Sequence, residues 1–450
     1  MMRKYFGTDG VRGTVNEEPM TAEFALRLGR AAGFVLTRHL NHQPHILIGK
    51  DTRLSGYMIE SGLCAGLTSQ GMNVMLVGPV PTPAVAYLTR SLRADAGVVL
   101  SASHNPAGDN GIKFFGADGF KLPDEIEHEI ERALDDLPPR PKASMVGKAF
   151  RIDDARGRYI EFCKASLARG FRMDGMKVVV DCANGAAYDV APRLFHELGC
   201  EVVAMNDKPD GRNINLACGS TYPEQMCKRV VECGADAGFA LDGDADRLIA
   251  CDASGQIVDG DCVIAALAEH LLDEKQLKGG AVVTTLMSNM GLERYLNGLG
   301  LQMYRAAVGD RYVLEMMRDK GCNLGGEQSG HVIMLDCNTT GDGLLTAVQL
   351  LAAMQQRKRP LAELVSGISL FPQKLWNITL PRRMDVMSDA SIMNDVIAAE
   401  KRLAGVGRLN VRASGTEPKL RVMVEAEDEA LMLEIGESLS DTIKKVVQEA

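Results

Sequence analysis

The sequence predicts an α/β protein with three similar α/β domains, whose sheets are mixed and largely parallel, and a smaller α+β C-terminal domain, around a central cleft. Short apolar segments alternate with helical patterns, which is typical of βαβ units. This arrangement occurs three times along the chain. Because the pattern changes after about residue 370, we expect domains at residues 1–153, 154–254, 255–369 and 370–450.

Each of the three repeats reads strand, helix, strand, helix and strand, followed by a polar motif. The predicted strands are residues 45–49, 73–78 and 95–100 in the first copy, 177–180, 201–204 and 236–241 in the second, and 281–284, 301–304 and 321–324 in the third. Functional residues of such sheets gather where the strands end. The repeat therefore puts three polar motifs at equivalent positions, and they meet if the domains face a common cleft.

The C-terminal segment has a different pattern. Residues 370–374 and 381–383 read as connector, and residues 409–411 and 420–424 read as strands. The apolar spacing at residues 428–448 predicts a closing amphipathic helix. Together these elements predict the smaller α+β domain.

Length, charge and cysteine usage exclude several classes of protein. A chain of 450 residues exceeds one ordinary core and agrees with several domains. The net charge of −9 and the absence of a basic stripe argue against nucleic-acid binding. Eleven scattered cysteines without a Cys-x-x-Cys pair argue against a disulfide framework. With no signal-peptide pattern and no apolar run of ~18–20 residues, we expect a cytoplasmic protein without a membrane partner.

The first polar motif, the serine loop, is Ser-Ala-Ser-His-Asn-Pro at residues 101–106. Pro106 prevents the preceding strand from continuing, so we expect Ser101 and Ser103 at an exposed strand-to-loop turn. A hydroxyl placed there can carry a covalent phosphoryl group. The Gly-x-Ser-x-Gly elbow of hydrolases is absent. The ordinary alternative is a polar turn that only caps the strand.

The second motif, the carboxylate loop at residues 242–247, alternates Asp242, Asp244 and Asp246 after a predicted strand. In an extended loop these side chains can converge on one hard cation, whereas without a cation they would repel and raise each other's pKa. An EF-hand loop is disfavoured because Arg247 and Ala253 replace its Gly and Glu. A phosphatase with Asp242 as nucleophile and a solvated acidic turn remain open.

The third motif, the glycine-rich loop at residues 325–331, brings together Glu327, Gln328, Ser329 and His331. These side chains can hydrogen-bond sugar hydroxyls, and the glycines let backbone approach a ligand closely. A flexible turn is the ordinary alternative.

The fourth motif, the arginine loop at residues 412–421, has the composition of a phosphate site. The residues that could surround a dianion are Arg412, Ser414, Gly415, Thr416 and Arg421. A hairpin turn with surface arginines is the alternative. A Walker A sequence is absent, so nucleotide binding of that kind has no support.

Two further basic residues lie in short glycine-containing segments of the first domain. Arg12 belongs to the glycine-dense residues 7–13, which could bring it toward a phosphate, and Lys113 follows the serine loop. Lys113 could be a catalytic or phosphate-neighbouring amine. An irregular N-terminal segment and an exposed hairpin lysine are the alternatives.

In their order along the chain, these four loops resemble those of the α-D-phosphohexomutase family. The likeness spans the whole chain, and four motifs in sequence are far more specific than any one alone. The resemblance implies a four-domain, heart-shaped fold. It also implies an isomerase that moves a phosphoryl group between two hydroxyls of a phosphosugar through an enzyme phosphoserine and a sugar bisphosphate.

Within this family the chain is most similar to the branch that acts on hexosamine phosphates. The similarity lies in residues 7–13, residues 242–247 and Gln328. Relatives that act on mannose and glucose phosphates usually carry Glu at the position of Gln328 and His at that of Asp310. Mutases of this second kind remain the alternative.

The resemblance also implies cofactors, partners and residue roles. The cofactors are one Mg²⁺ per chain and glucosamine or glucose 1,6-bisphosphate as activator, the partner is a phosphosugar, and the oligomeric state, homodimer included, stays open. The implied catalytic residues are Ser103, Lys113, His331, Arg12 and Arg247. The implied metal ligands are Ser103, Asp242, Asp244 and Asp246. The implied substrate-binding residues are Glu327, Ser329, Arg412, Ser414, Gly415, Thr416 and Arg421.

Two functions outside mutase chemistry are also compatible with the motifs. A sugar phosphatase with an aspartate nucleophile would release phosphate and stay active without Ser103. A non-enzymatic sensor of a cation or a sugar phosphate would bind its ligand without transferring a phosphoryl group to the protein.

Overall fold

The structure, a computed structural model, describes residues 4–381, 389–413 and 419–449. Within these residues the chain forms two compact units, Met1–Thr285 with Tyr304–Ser366, and Leu286–Met303 with Gly367–Ala450. The second unit is therefore discontinuous in sequence. No helix in the described ranges has the length and apolar character needed to cross a membrane.

The first sheet carries the serine loop. Its strands are β1 (Phe6–Gly7), β2 (Gly10–Thr14), β3 (His45–Lys50), β4 (Asn73–Pro79), β5 (Ala96–Leu100), β6 (Asp109–Gly116) and β7 (Ala149–Arg151). Their order is β1-β2-β6-β5-β3-β4-β7. Strand β3 pairs parallel with β4 and β5, whereas β6 returns antiparallel along β5 after the serine loop.

Helices flank this sheet and bury their apolar faces against it. They are α1 (Ala22–Thr37), α2 (Ser55–Ser69), α3 (Thr82–Ser91) and α4 (Asp124–Asp135), followed by α5 (Ala155–Ala165). Phe24 and Leu28 of α1 share one fully buried cluster with Ile46 and Val98 of the sheet. All five residues of β5 are buried, which explains its continuous apolar run.

The second sheet carries the carboxylate loop. Its strands are β8 (Lys177–Asp181), β9 (Glu201–Met205), β10 (Ala237–Leu241), β11 (Leu248–Asp252) and β12 (Ile257–Val258), in the order β12-β11-β10-β8-β9. Its helices are α6 (Val190–Leu198) and α7 (Glu224–Cys233). Strand β8 pairs parallel with β9 and β10, and β11 returns antiparallel along β10 directly after the carboxylate loop.

The third sheet repeats this scheme around the glycine-rich loop. Its strands are β13 (Ala281–Thr285), β14 (Gln302–Ala306), β15 (Leu324–Gly326) and β16 (Val332–Met334), in the order β14-β13-β15-β16. Helices of this stretch of chain are α8 (Gly260–Asp273), α9 (Met290–Gly298), α10 (Asp310–Lys320), α11 (Gly343–Arg357) and α12 (Leu361–Leu364). The predicted threefold α/β arrangement is thus confirmed, with mixed sheets because an antiparallel strand follows each polar motif.

The C-terminal elements form an antiparallel sheet with two helices. The strands are β17 (Gln373–Thr379), β18 (Gly407–Ala413) and β19 (Lys419–Ala426), in the order β17-β19-β18. The helices are α13 (Ala390–Leu403) and α14 (Glu429–Glu449). Residues 373 and 374, expected to be connector, instead begin β17. This edge strand has only one fully buried residue, Ile378, so its apolar pattern is weak.

Candidate active site

Ser103 lies just beyond the end of β5, but it is not exposed as expected. It is 1% exposed and has a left-handed backbone, with φ of 51°. Its hydroxyl donates a hydrogen bond to Asp242 Oδ2 at 2.6 Å, and it lies 3.3 Å from His104 Nδ1. The expectation failed because Asp242 comes from a different sheet and covers the turn.

The backbone of the serine loop is held by hydrogen bonds from Arg53, which is completely buried. Its Nη2 donates to the carbonyl oxygens of Ser103 at 3.1 Å and Asn105 at 2.7 Å. Its Nη1 donates to the carbonyls of Pro106 and Asp109, and its Nε donates to a carboxylate oxygen of Asp51. One guanidinium therefore fixes the backbone of the whole turn, which a single-point lysine charge could not do.

Asp51 and Asn215 complete this support. Ser101 Oγ donates to Asp51 Oδ2 at 2.6 Å and accepts from the Ser103 N–H at 3.0 Å. Asn215 Nδ2 donates to the Ser103 carbonyl at 2.8 Å. The left-handed conformation of Ser103, which is costly for a residue other than glycine, is thus held by several independent hydrogen bonds.

The carboxylate loop begins directly after β10 and faces the serine loop. Carboxylate oxygens of Asp242, Asp244 and Asp246 all lie within 4.8 Å of one another, and all three residues are buried. Gly243 permits this approach, because a Cβ there would lie 2.6 Å from the Ser103 carbonyl oxygen. The predicted convergence of the three aspartates with Ser103 is therefore present.

The three carboxylates fit a hard divalent cation. Asp244 Oδ2 accepts from Thr82 Oγ1 at 2.7 Å and from Lys113 Nζ at 3.0 Å. The other oxygen of Asp244, and Oδ1 of Asp246, are buried and have no hydrogen-bond partner among the described residues. Clustered oxygens that are buried and unsatisfied are the donor set that Mg²⁺ or Ca²⁺ prefers.

The pKa values within the cluster diverge. Burial raises the pKa of Asp242 well above its usual range, and the charges of Asp246 and Asp244 raise it further. Burial also acts to raise the pKa of Asp246, but His331 and Lys113 outweigh it and the net shift is downward. Without a cation the cluster therefore does not hold three charges easily, as expected for neighbouring carboxylates.

Three cationic side chains lie beside the cluster. Lys113, on β6, is buried rather than an exposed hairpin lysine, and its Nζ lies 3.1 Å from Asp9 Oδ2. Arg12, on β2, pairs with Asp9, and Arg247 Nε lies 3.8 Å from Asp246 Oδ1. The Nε atoms of Arg12 and Arg247 are buried and make no hydrogen bond within the described part of the chain.

His104, next to Ser103, lies near both of these arginines. Burial lowers its pKa, and Arg247 and Arg12 lower it further, to about 4. The ring next to Ser103 is therefore neutral near pH 7. The guanidinium groups of Arg12 and Arg247 favour an anionic ligand next to Ser103 although the whole chain is acidic.

The glycine-rich loop follows β15 and reaches the same place through His331, whose Nδ1 lies 3.6 Å from Asp246 Oδ1. Glu327 Oε1 accepts from the Gly309 N–H at 3.2 Å, and the exposed Ser329 lies 3.5 Å from Glu327 Oε2. Gln328 Nε2 donates to Asp259 at 3.3 Å. Polar groups of this loop thus keep hydrogen-bonding capacity for a ligand.

His331 lies among carboxylates that favour its charged form. Burial lowers its pKa, but Asp246, Asp310 and Glu327 outweigh burial and raise it to about 9. The Gly341 N–H, 3.2 Å from Nε2, favours the neutral ring instead. Three nearby full charges outweigh one amide dipole, so we assign the imidazolium form in the absence of ligand.

The arginine loop is described only in part. Arg412 and Arg421 are directly opposite each other on β18 and β19 of the second unit. Burial and the charge of Arg421 lower the pKa of Arg412, and two facing guanidinium groups favour an anion between them. Ser414, Gly415 and Thr416 lie outside the described residues.

Sequence reasoning missed several residues of the site. They are Asp9, Asp51, Arg53, Thr82, Lys121 and Asn215. One signal was present for two of them, because Asp51 and Arg53 directly follow β3 and parallel strands end at the same edge. The others reach the site from turns and helix starts that carry no such signal.

Comparison with known proteins finds relatives over nearly the full length of the chain. The phosphoglucomutase/phosphomannomutase models match for α/β/α domain I at residues 3–139, domain II at 157–255, domain III at 259–371 and the C-terminal domain at 375–441. The phosphoglucosamine mutase of Paracoccus denitrificans (strain Pd 1222) is 54% identical over 99% of this chain and 100% of its own length. That of Syntrophotalea carbinolica (strain DSM 2380) is 53% identical over 99% and 98%.

A solved structure shows the same fold. The crystal structure of a phosphoglucomutase/phosphomannomutase family protein from Burkholderia thailandensis superposes with a TM-score of 0.81 at 25% identity. The match covers 98% of this chain and 97% of that one. The likeness therefore extends over the full length of both chains.

Proposed function

This chain belongs to the phosphoglucomutase/phosphomannomutase family, and we propose that it is a phosphoglucosamine mutase, an isomerase that interconverts glucosamine 6-phosphate and glucosamine 1-phosphate. The observation that carries the proposal is the contact of Ser103 Oγ with Asp242 at 2.6 Å, beside two further aspartates. It joins a hydroxyl that can carry a phosphoryl group to a site suited to a divalent cation. The full-length curated relatives support the hexosamine substrate.

In the proposed reaction the resting enzyme carries a phosphoryl group on Ser103 Oγ. The 1-hydroxyl of glucosamine 6-phosphate attacks this phosphorus, the P–O bond to Ser103 breaks and a P–O bond to the sugar forms. The hydroxyl proton is released and one proton returns to Ser103 Oγ, so the step is balanced. The 1,6-bisphosphate then turns, and Ser103 Oγ loses its proton and attacks the 6-phosphorus. The P–O bond to the 6-oxygen of the sugar breaks, that oxygen takes a proton, and glucosamine 1-phosphate leaves.

For the metal we propose one Mg²⁺ per chain, held by Asp242, Asp244, Asp246 and an oxygen of the Ser103 phosphoryl group. When bound, it would supply positive charge next to the group being transferred. The buried, unpartnered oxygens of Asp244 and Asp246 support this assignment. A sugar 1,6-bisphosphate, of glucosamine or glucose, is the proposed activator because it can restore the phosphoryl group on Ser103.

Substrate binding divides between several groups in this proposal. The unpartnered Nε atoms of Arg12 and Arg247 are donors for the reacting phosphate. Glu327 and Ser329 bind sugar hydroxyls, whereas Lys113 and His331 stabilise charge or move protons. The non-reacting phosphate binds the arginine loop, at Arg412, Ser414, Gly415, Thr416 and Arg421. We propose four domains, at residues 1–153, 154–254, 255–369 and 370–450, and the sequence of each contains one of the four loops.

The Ser103→Ala variant tests the proposal directly. We expect it to fold normally but to lose mutase activity, because the variant lacks the hydroxyl proposed to carry the phosphoryl group. The measurement is conversion of glucosamine 6-phosphate with a trace of glucose 1,6-bisphosphate, together with transfer of labelled phosphate to the protein. Ser61→Ala, on the exposed face of α2, is the matched control.

Two outcomes of this experiment would overturn the proposal. Release of inorganic phosphate that survives Ser103→Ala would indicate a phosphatase with Asp242 as nucleophile. Ligand binding without any transfer of label to wild-type protein would indicate a sensor. A panel of glucosamine, glucose and mannose 6-phosphates then separates a hexosamine mutase from a hexose mutase by the ratio of their kcat/KM values.

A further inference from the structure

Six side chains of alternating charge form a closed ring beside Ser103. In order, its members are Lys113, Asp9, Lys121, Asp310, His331 and Asp246. The successive distances between their charged atoms, back to Lys113, are 3.1, 2.5, 2.5, 3.5, 3.6 and 3.8 Å. Three of the members, Lys113, His331 and Asp246, belong to the proposed catalytic and metal groups. The other three have no role in the reaction described so far.

Separate elements bring these three residues together. Asp9 lies in the tight turn between β1 and β2, where Gly10 has φ of +77° and its backbone lies against β6. Lys121 follows a turn after β6 and bridges back to Phe115. Asp310 is the first residue of α10. Lys121 therefore joins a carboxylate of the first sheet to a carboxylate beside the glycine-rich loop.

Lys121 has the contacts of a structural bridge. Its Nζ lies 2.5 Å from Asp9 Oδ1 and 2.5 Å from Asp310 Oδ2, and its side chain is only 11% exposed. Burial lowers its pKa, but Asp310 and Asp9 outweigh burial and raise it, so Lys121 is charged. Its removal would leave two poorly solvated carboxylates facing each other, and both would move apart.

Such a movement would reach the catalytic groups directly. Asp9 also contacts Lys113 and Arg12, and Asp310 also contacts His331. Loss of the bridge would therefore displace the ammonium group of Lys113 through Asp9 and the imidazole of His331 through Asp310. Displacements of about 1 Å in such groups are enough to slow phosphoryl transfer.

We infer that Lys121 is a positioning residue of the mutase, which bridges Asp9 and Asp310 and thereby holds Lys113 and His331 in place around Ser103. This inference rests on the proposed function. Lys121 acts through its two carboxylate partners, which distinguishes it from the residues that touch the reacting phosphoryl group.

The test compares Lys121→Met with Lys121→Arg in the full-length enzyme. For Lys121→Met we expect kcat to fall roughly 10- to 100-fold while KM for glucosamine 6-phosphate stays within about threefold, since the substrate-binding groups remain. Lys121→Arg, which can still bridge two carboxylates, should recover at least about half of that loss on a logarithmic scale. Lys278→Met, which breaks an exposed ion pair with Asp336, is the matched control and should leave kcat unchanged.

A double mutant separates positioning from general destabilisation. Asp310→Asn breaks the same bridge, so Lys121→Met combined with Asp310→Asn should lower kcat by no more than about threefold beyond the worse single variant. If Lys121→Met does not fold, Asp310→Asn alone must lower kcat roughly 10- to 100-fold while KM stays within about threefold. A kcat within about twofold of wild type in the single variants, or fully multiplicative losses in the double, would overturn the inference. Wild-type enzyme without mutase activity would overturn the proposed function, and this inference with it.

Discussion

The serine loop and the glycine-rich loop follow equivalent strands of the repeat, yet they are held in different ways. In the serine loop, Arg53 binds four backbone carbonyls, and the Ser103 hydroxyl already has a partner at 2.6 Å. In the glycine-rich loop, backbone bonds such as Gly330 N–H to the Glu327 carbonyl, at 2.9 Å, hold the turn, and the side-chain hydrogen bonds are 3.2 to 3.5 Å long.

This difference indicates that the two loops have different functions, one in phosphoryl transfer and the other in sugar recognition. The end of the site that performs transfer is fixed before a ligand arrives, which favours in-line geometry. The end that recognises the sugar keeps donors and acceptors available for it. We therefore expect changes near Ser103 to act on kcat, and changes at Glu327 and Ser329, which are proposed to bind the sugar, to act on KM.

The largest change in rate is expected for Asp244→Asn, in the carboxylate loop that contacts Ser103. We expect kcat to fall about 100-fold or more and the Mg²⁺ concentration for half-maximal rate to rise, because one of three anionic ligands is lost. The measurement is a titration of activity with Mg²⁺. An unchanged metal response would remove Asp244 from the metal site, and Asp336→Asn, at an exposed position, is the control.

A smaller effect on rate is expected for Arg53→Met. Loss of the guanidinium removes one donor from each of four carbonyls and leaves the buried Asp51 carboxylate without its charged partner, so the free energy of unfolding should fall by about 3–5 kcal/mol. We expect kcat to fall about tenfold as the turn loosens, with KM nearly constant. Urea unfolding and steady-state kinetics measure the two quantities.

Arg53→Lys is the matched variant for Arg53→Met, because lysine keeps the charge but not the several fixed donors of the guanidinium group. If only the charge matters, Arg53→Lys will behave as wild type. If the hydrogen bonds to the serine loop matter, it will resemble Arg53→Met. A variant that loses stability but keeps its full kcat would show that Arg53 supports the fold and not the position of Ser103.

The smallest effect is expected for Ser329→Ala. Ser329 is exposed and has only a 3.5 Å contact with Glu327, so stability should stay within about 0.5 kcal/mol. KM for glucosamine 6-phosphate should rise about threefold through loss of one hydrogen bond to the sugar, with kcat within about twofold. A large fall in kcat with unchanged KM would contradict the division between the two loops.

The strands and the polar motifs at their ends could be predicted from the sequence because both are local patterns. Buried apolar runs such as β5 and β10 are bounded by turn residues, and their repetition predicts equivalent positions. The convergence of Ser103 with the carboxylate loop then follows from the common behaviour of parallel strand ends.

Burial and support of the site could not be predicted, because they depend on contacts distant in sequence. The sequence predicts an exposed Ser103 because it does not show that Asp242 covers the turn. It likewise does not show that Lys113 is buried between Asp9 and Asp244. The position of Arg53 after β3 indicates the edge of the sheet, but it does not indicate that the side chain is buried or that it binds the serine loop. Strand β17 was missed for another reason, since an exposed edge strand needs little apolar patterning.

The discontinuity of the second unit has a consequence for biosynthesis. Helix α9 is translated long before residues 367–450, although its N-terminal Asn289 exchanges hydrogen bonds with the Phe371 backbone and the Ser288 carbonyl accepts from Arg408. Residues 286–303 can therefore form these contacts only after residues 367–450 have been synthesised. A gene fragment that encodes only residues 367–450 would lack helix α9. A gene that ends before residue 367 would encode α9 without the residues that it packs against.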